Sequence, residues 1–123
     1  MLLNNFFKIS KQQQECDHTV FTIELIVNHP LYAGHFPERP IVPGVCSIEI
    51  IKECTAAVLQ SPLEFIALEQ SKFFYPIEPL KHKKLRVSIK IKALNKVEYL
   101  LTGDIMDTQT TFVSIKSIIK TKI

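Results

Sequence analysis

Cysteine is scarce in this chain and oddly counted: Cys16, Cys46 and Cys54 are the only three, with no C-x-x-C spacing and no histidine at ligand spacing beside them. A zinc site and a disulfide framework are both excluded on that pattern. Free thiols filling small apolar space in a reducing compartment, the cytoplasm, is the expectation that remains. Long hydrophobic runs are missing too; the longest are a few residues, against the ~20 needed to cross a bilayer. Met1 to Phe7 carries no basic leader or cleavage site, so neither membrane spanning nor secretion is expected. There is no internal repeat, no Gly/Ser linker and no low-complexity tract beyond Gln12–Gln14, which predicts one domain over residues 1–123.

Charge is present but uneven. Residues 1–61 carry 4 basic and 6 acidic groups, a net −2, whereas residues 62–123 carry 11 basic and 6 acidic, a net +5. The excess gathers at Lys81, Lys83, Lys84, Arg86, Lys90 and Lys92, which suits either a solvated strand face or an acidic partner. Aromatics do not interleave with these cations, and no nucleic-acid-binding signature accompanies them, so nucleic acid is not the expected partner.

The conformational specialists are concentrated. Pro30, Pro37, Pro40 and Pro43 fall together with Gly34 and Gly44, two of the chain's three glycines. Proline fixes φ and glycine permits close approach, so this stretch reads as a long, stiffened loop of the kind that carries function. Before it, Phe21, Ile23, Leu25 and Val27 alternate with polar residues as in a half-buried strand, and Phe6–Glu15 supplies a hairpin partner. After it, Val45 to Leu59 lacks Pro and Gly and is apolar on most sides, with Val45, Ile48, Ile51, Thr55 and Val58 at helical spacing. One buried helix of about four turns is predicted, entered at Pro43-Gly44 and ended at Ser61-Pro62. Further strands are predicted over about 64–75, 84–94, 97–106 and 111–120. A long helix that is apolar nearly all round must be wrapped, and a curved antiparallel sheet of five to six strands in an α+β fold is the simple solution.

Chemistry-bearing residues lie at the join of loop and helix. His35, held in a stiffened loop, carries the side chain that titrates nearest neutrality and suits a general base. Glu49, inside an apolar helix, should hold its proton more tightly because desolvation disfavours the charged form, and so suits a general acid. Glu53, at i+4, would push in the same direction if desolvated, or else simply face water. The Gly44 N–H lies at the helix N-terminus, where unsatisfied donors can hold an oxyanion. Base, acid and oxyanion donor together suit removal of a proton α to a carbonyl with loss of a β-hydroxyl. His18, His29 and His82 have no companion pattern and read as ordinary residues.

The run Gly34-His35-Phe36-Pro37-Glu38-Arg39-Pro40-Ile41-Val42-Pro43-Gly44, with Glu49 five positions on, resembles the signature of the 3-hydroxyacyl-acyl-carrier-protein dehydratases, G-H-F-P-x-[KR]-P-x-x-P-G followed by Glu or Asp. The resemblance implies the hot-dog fold, dehydration of a (3R)-hydroxyacyl thioester on acyl carrier protein or coenzyme A to the trans-2-enoyl thioester, and no metal or organic cofactor. It makes His35 the base, Glu49 the partner of the departing hydroxyl, and the amides of Gly44 and Val45 the holders of the thioester carbonyl. It also implies a homodimer or higher homo-oligomer whose sites combine histidine and acid from two subunits. Phe36, Glu53 and Phe74 are candidates for the acyl path or for supporting the site. Phe74 and Tyr75 stand where the family has two cations, and with Phe73 they read otherwise as core. Glu53 replaces the family's usual glutamine. A hot-dog thioesterase and a non-catalytic acyl-binding subunit are the alternative readings.

Overall fold

The computed structural model describes residues 1–34 and 39–122. Strands β1 (Phe7–Glu15) and β2 (His18–Leu25) form a hairpin and are followed by a short 3-10 turn (Pro30–Gly34). Helix α1 (Gly44–Leu59) comes next, then β3 (Leu63–Phe73), β4 (Lys84–Ala93), β5 (Glu98–Met106) and β6 (Thr111–Thr121). All six strands join one antiparallel sheet in the order β1-β2-β4-β5-β6-β3. One helix against a six-stranded sheet is the hot-dog arrangement expected from the sequence.

Period-2 patterning sets the face that the sheet turns to the helix. Leu85, Val87 and Ile89 on β4 are buried, while Lys84 and Lys90 are exposed. Register aligns them with Ile23 and Phe21 of β2 on one side, and with Ile105 and Gly103 of β5 on the other. Val113, Ile115 and Ile119 of β6 continue the same layer. Gly103 marks the closest approach of sheet and helix, since a Cβ there would stand 2.5 Å from Ile51 Cγ2. Only glycine leaves room for the helix at that distance. Register shifts interrupt β1, β3 and β5, each adding a local bend to its ladder.

Helix α1 begins at Gly44 behind Pro43 and ends at Gln60 in the left-handed conformation, with its backbone N–H returned to Ala56 O. Both bounds agree with the sequence reading, but the predicted burial does not. Cys46, Ser47, Ile50, Ile51, Glu53, Cys54 and Thr55 are buried, whereas Val45 is 75% exposed and Ile48 and Val58 are only partly covered. The sheet covers one side of the helix and leaves the opposite side open within one chain, so being apolar nearly all round does not mean being wrapped. A second correction concerns Phe73, Phe74 and Tyr75, which are 50%, 50% and 61% exposed and not core. They leave the end of β3, which lies at the border of the sheet and pairs only with β6.

Candidate active site

The loop that enters α1 is clipped to the β3–β4 connection at two points. The Val42 N–H donates to Ile77 O at 2.9 Å. Arg39 donates from Nε to Glu78 Oε1 at 2.8 Å and from Nη2 to Oε2 at 3.3 Å. The Arg39 guanidinium holds the Glu78 carboxyl below the usual carboxylate range, the hydrogen bond being the larger cause. These ties carry the start of α1 to the aromatic end of β3. At Gly44 a Cβ would meet Phe73 Cε1 and Cζ at 3.2 Å, a tight contact that the Phe73 ring would have to ease; its φ is negative and does not call for glycine.

Beside this contact lies a hollow of about 330 Å³ lined by Gly44, Ser47, Phe73, Phe74, Tyr75 and Val113, with other residues of the same loops. Cys46 and Ser47 already donate to Pro43 O, and Pro43 supplies no side-chain cap. The amides of Gly44 and Val45 have no acceptor among the described residues. Free donors at the positive end of a helix, next to an aromatic hollow, can hold a carbonyl oxygen that develops negative charge while an acyl chain lies on the rings. Ser47 was not singled out from the sequence. Its spacing of one turn from Gly44 was the available signal, masked by its place within an apolar helix.

Glu49 opens elsewhere. It lines a second hollow, of about 250 Å³, with Met1, Lys52, Glu53, Pro62 and Lys122 among its walls. Partial burial raises the Glu49 carboxyl above the ordinary range, and a hydrogen bond with Glu53 and the charge of that neighbour add to it. Lys52 and the Met1 amino group oppose the shift. Glu53 is buried, with Oε2 accepting the Leu2 N–H and Oε1 the Leu3 N–H, each at 2.8 Å. It is therefore not solvated. Five residues advance a helix by about 140° around its axis, which is why Gly44 and Glu49 face different hollows of one chain.

His35 and Phe36, the first a central candidate, lie outside the described residues. Of the remaining candidates, Gly44 and Phe74 share the aromatic hollow, Glu49 and Glu53 share the acidic one, and Val45 lines neither. Burial pushes the Cys46 thiol up and the Cys54 thiol to about 12, so both stay protonated and unsuited to nucleophilic attack. His29 Nδ1 accepts the Leu31 N–H and His82 Nδ1 the Glu78 N–H, local roles of the kind expected. No group of described residues could hold a metal ion, and no described helix is long and apolar enough to cross a membrane. The basic stretch is less free than its sequence implied. Arg86 reaches Glu15 at 3.3 Å, Lys90 reaches Asp17 at 3.2 Å and Lys81 reaches Glu78 at 3.7 Å.

A family model for the ApeI dehydratase matches residues 10–115. The chain belongs to the ApeI-like dehydratase family. A curated FabZ 3-hydroxyacyl-[acyl-carrier-protein] dehydratase from Janthinobacterium sp. (strain Marseille) is 33% identical over 90 residues, covering 64% of this chain and 57% of the relative. Another from Caldicellulosiruptor saccharolyticus is 28% identical over 93 residues, covering 76% and 55%. The chain thus spans about half the length of the curated relatives it matches. Among solved structures, the dehydratase heterocomplex ApeI:P from Xenorhabdus doucetiae aligns with a TM-score of 0.75 at 23% identity, covering 91% of this chain and 96% of that one. A thioesterase, SAV0944 of Staphylococcus aureus, aligns with a TM-score of 0.60 at 12% identity, covering 95% and 93%. At these identities the structural likenesses establish the hot-dog fold of this ApeI-like chain.

Proposed function

We propose that this ApeI-like chain dehydrates a (3R)-hydroxyacyl thioester, carried on an acyl carrier protein, to the trans-2-enoyl thioester in acyl-chain biosynthesis. The observation that carries the reading is that Glu49, whose carboxyl burial holds above the ordinary range, shares a helix with the Gly44 amide, which stands open beside an aromatic hollow. The Gly44 N–H, with that of Val45, donates to the thioester carbonyl oxygen, and this acidifies the α-carbon. His35 takes the α-proton, the Cα–H electron pair becomes the Cα=Cβ bond, and the Cβ–O bond breaks. The departing hydroxyl takes the Glu49 proton and leaves as water. Proton transfer from the imidazolium to the Glu49 carboxylate restores both groups without a metal or organic cofactor. Phe73, Phe74 and Tyr75 carry the acyl chain in this reading.

The site is completed by a second copy. Gly44 and Glu49 face different hollows of one chain, so the acid that serves one Gly44 comes from the partner subunit in this reading. The edge strand β3 supports such pairing, with Ile66 and Leu68 half exposed along a ladder that has a free side. Lys83, Lys84 and Lys92 carry no ion pair among the described residues and are the cations available to an acidic carrier. The single domain 1–123 acts in a reducing cytoplasm in this reading, which its three free cysteines support.

Ultraviolet absorbance of the conjugated enoyl thioester tests the proposal, with 3-hydroxyacyl carrier-protein substrates of several lengths and a His35→Ala control. Absorbance that appears and is lost in the control supports it. Free thiol without enoyl product would make the chain a thioesterase, and silence in both channels would make it an acyl-binding subunit.

A further inference from the structure

Resting on the dehydratase reading, we infer that Glu53 is a positioning residue for Glu49, a carboxylate anchored by the Leu2 and Leu3 amides that keeps the pair's shared proton on Glu49. Two glutamates one turn apart on a helix, both turned into one hollow, cannot approach as two anions without cost. A proton between them removes the repulsion, and geometry decides which of the two carries it. Both Glu53 oxygens already receive a backbone N–H, at 2.8 Å each. Protonating Glu53 would turn one of those oxygens into a hydroxyl and a weaker acceptor, at a cost to a part-buried amide that an ionised Glu53 avoids. Glu49 has no such donors among the described residues, so the proton belongs to it.

The charged surroundings agree. Lys52 is the nearest cation on α1, but its ammonium lies 5.8 Å from the centre of the Phe65 ring, and it forms no ion pair with either carboxylate. The Met1 amino group and Lys122 face the same hollow, from the amino-terminal segment and from beyond β6, and likewise form no ion pair with the glutamates. Cys46, farther up α1, stays protonated because burial pushes its thiol up. Lys52 and the Met1 amino group thus draw the Glu49 carboxyl down only from a distance, while burial and the hydrogen bond with Glu53 outweigh them. A general acid needs this poise, because it must still hold its proton at the working pH when the hydroxyl departs. The segment Met1–Asn5 becomes part of the catalytic apparatus at one remove, since its amides fix the carboxylate that sets the acid.

Carboxyl-carbon NMR of protein labelled at the glutamate side chains reads this directly, with the Glu49 signal assigned by its loss in Glu49→Gln. In the intact chain the Glu49 signal is expected to titrate above the ordinary glutamate value of about 4.3. Glu53→Gln should lower the Glu49 midpoint and move the alkaline limb of kcat down with it, with KM little changed. A merely structural Glu53 would lower thermal stability and leave both midpoints in place. An ordinary Glu49 midpoint in the intact chain overturns the inference even if Glu53→Gln fails to fold. The titration needs no turnover. A raised Glu49 midpoint that falls in Glu53→Gln, in a chain that dehydrates nothing, would retain the positioning role and dismiss the dehydratase, while His35-dependent dehydration with an ordinary Glu49 midpoint would do the reverse.

Discussion

The two hollows beside α1 differ in nearly every physical respect. The one at Gly44 is floored by helix amides and walled by aromatics, and no carboxylate lines it. The one at Glu49 holds two carboxyls, two lysines and the amino-terminal residue. One helix thus presents its electropositive end to one space and a flank whose carboxyl is held above the ordinary range to another, separated by a fixed rotation. The difference teaches that a group of catalytic type in a sequence is not yet a site. Two ends of the proposed chemistry are encoded five residues apart, and in the dimeric reading a second copy brings them together.

The largest effect should come from removing the acid. Glu49→Gln is expected to lower kcat by about 10²-fold or more. The same change should modestly raise the melting temperature at neutral pH. A carboxyl whose folded-state value is raised favours the fold below its unfolded value and loses that contribution as pH rises through the raised one. The neutral amide escapes that loss, so the gain seen by thermal denaturation should vanish on acidification toward the ordinary glutamate range.

Complementation sharpens the comparison next. His35→Ala and Glu49→Gln, each inactive alone, should regain about a quarter of the parental rate when unfolded and refolded together, because random pairing makes half the dimers mixed with one whole site each. No recovery would place both groups in one chain's site. Gly103→Ala tests the seat that both hollows share. Its Cβ would press on Ile51, costing about 1–3 kcal/mol in denaturant melts, with partial recovery in Gly103→Ala/Ile51→Val. Gly44→Ala should reduce kcat/KM several-fold and leave stability nearly unchanged, since the new methyl meets only the exposed Phe73 ring. Phe73→Leu in the same chain should restore part of it.

Arg39→Ala should have the smallest effect. Its partner Glu78 has a depressed folded-state value, so the pair contributes stability above the unfolded glutamate value and loses it as pH falls through the folded one. The difference in melting temperature from the parent should therefore be present at neutral pH and shrink in acid.

Much of this was legible in the sequence. The strict alternation in β4 located its buried face, and proline at residues 43 and 62 bounded the helix. The signature loop named Gly44 and Glu49. Other features were not legible, and for identifiable reasons. Phe73–Tyr75 carry a core-like pattern, yet they emerge from an edge strand whose outer side has no neighbour in the chain. Val45 fits the helical apolar stripe but falls on the side that the sheet does not reach. The partners of Glu53 lie 50 and 51 residues away, beyond any local pattern.

By itself, the sequence determined the elements and their order, because hydrophobic period and backbone restriction act over a few residues. It also named the candidate residues of a dehydratase-type site, because that signature is a local run of the chain. Only the tertiary structure decided which flank of α1 is covered, which hollow each candidate enters, and that Glu53 is tied to the chain's first amides. Those outcomes depend on sheet order and on the close seat at Gly103, which join segments far apart in the chain through packing that no single stretch encodes.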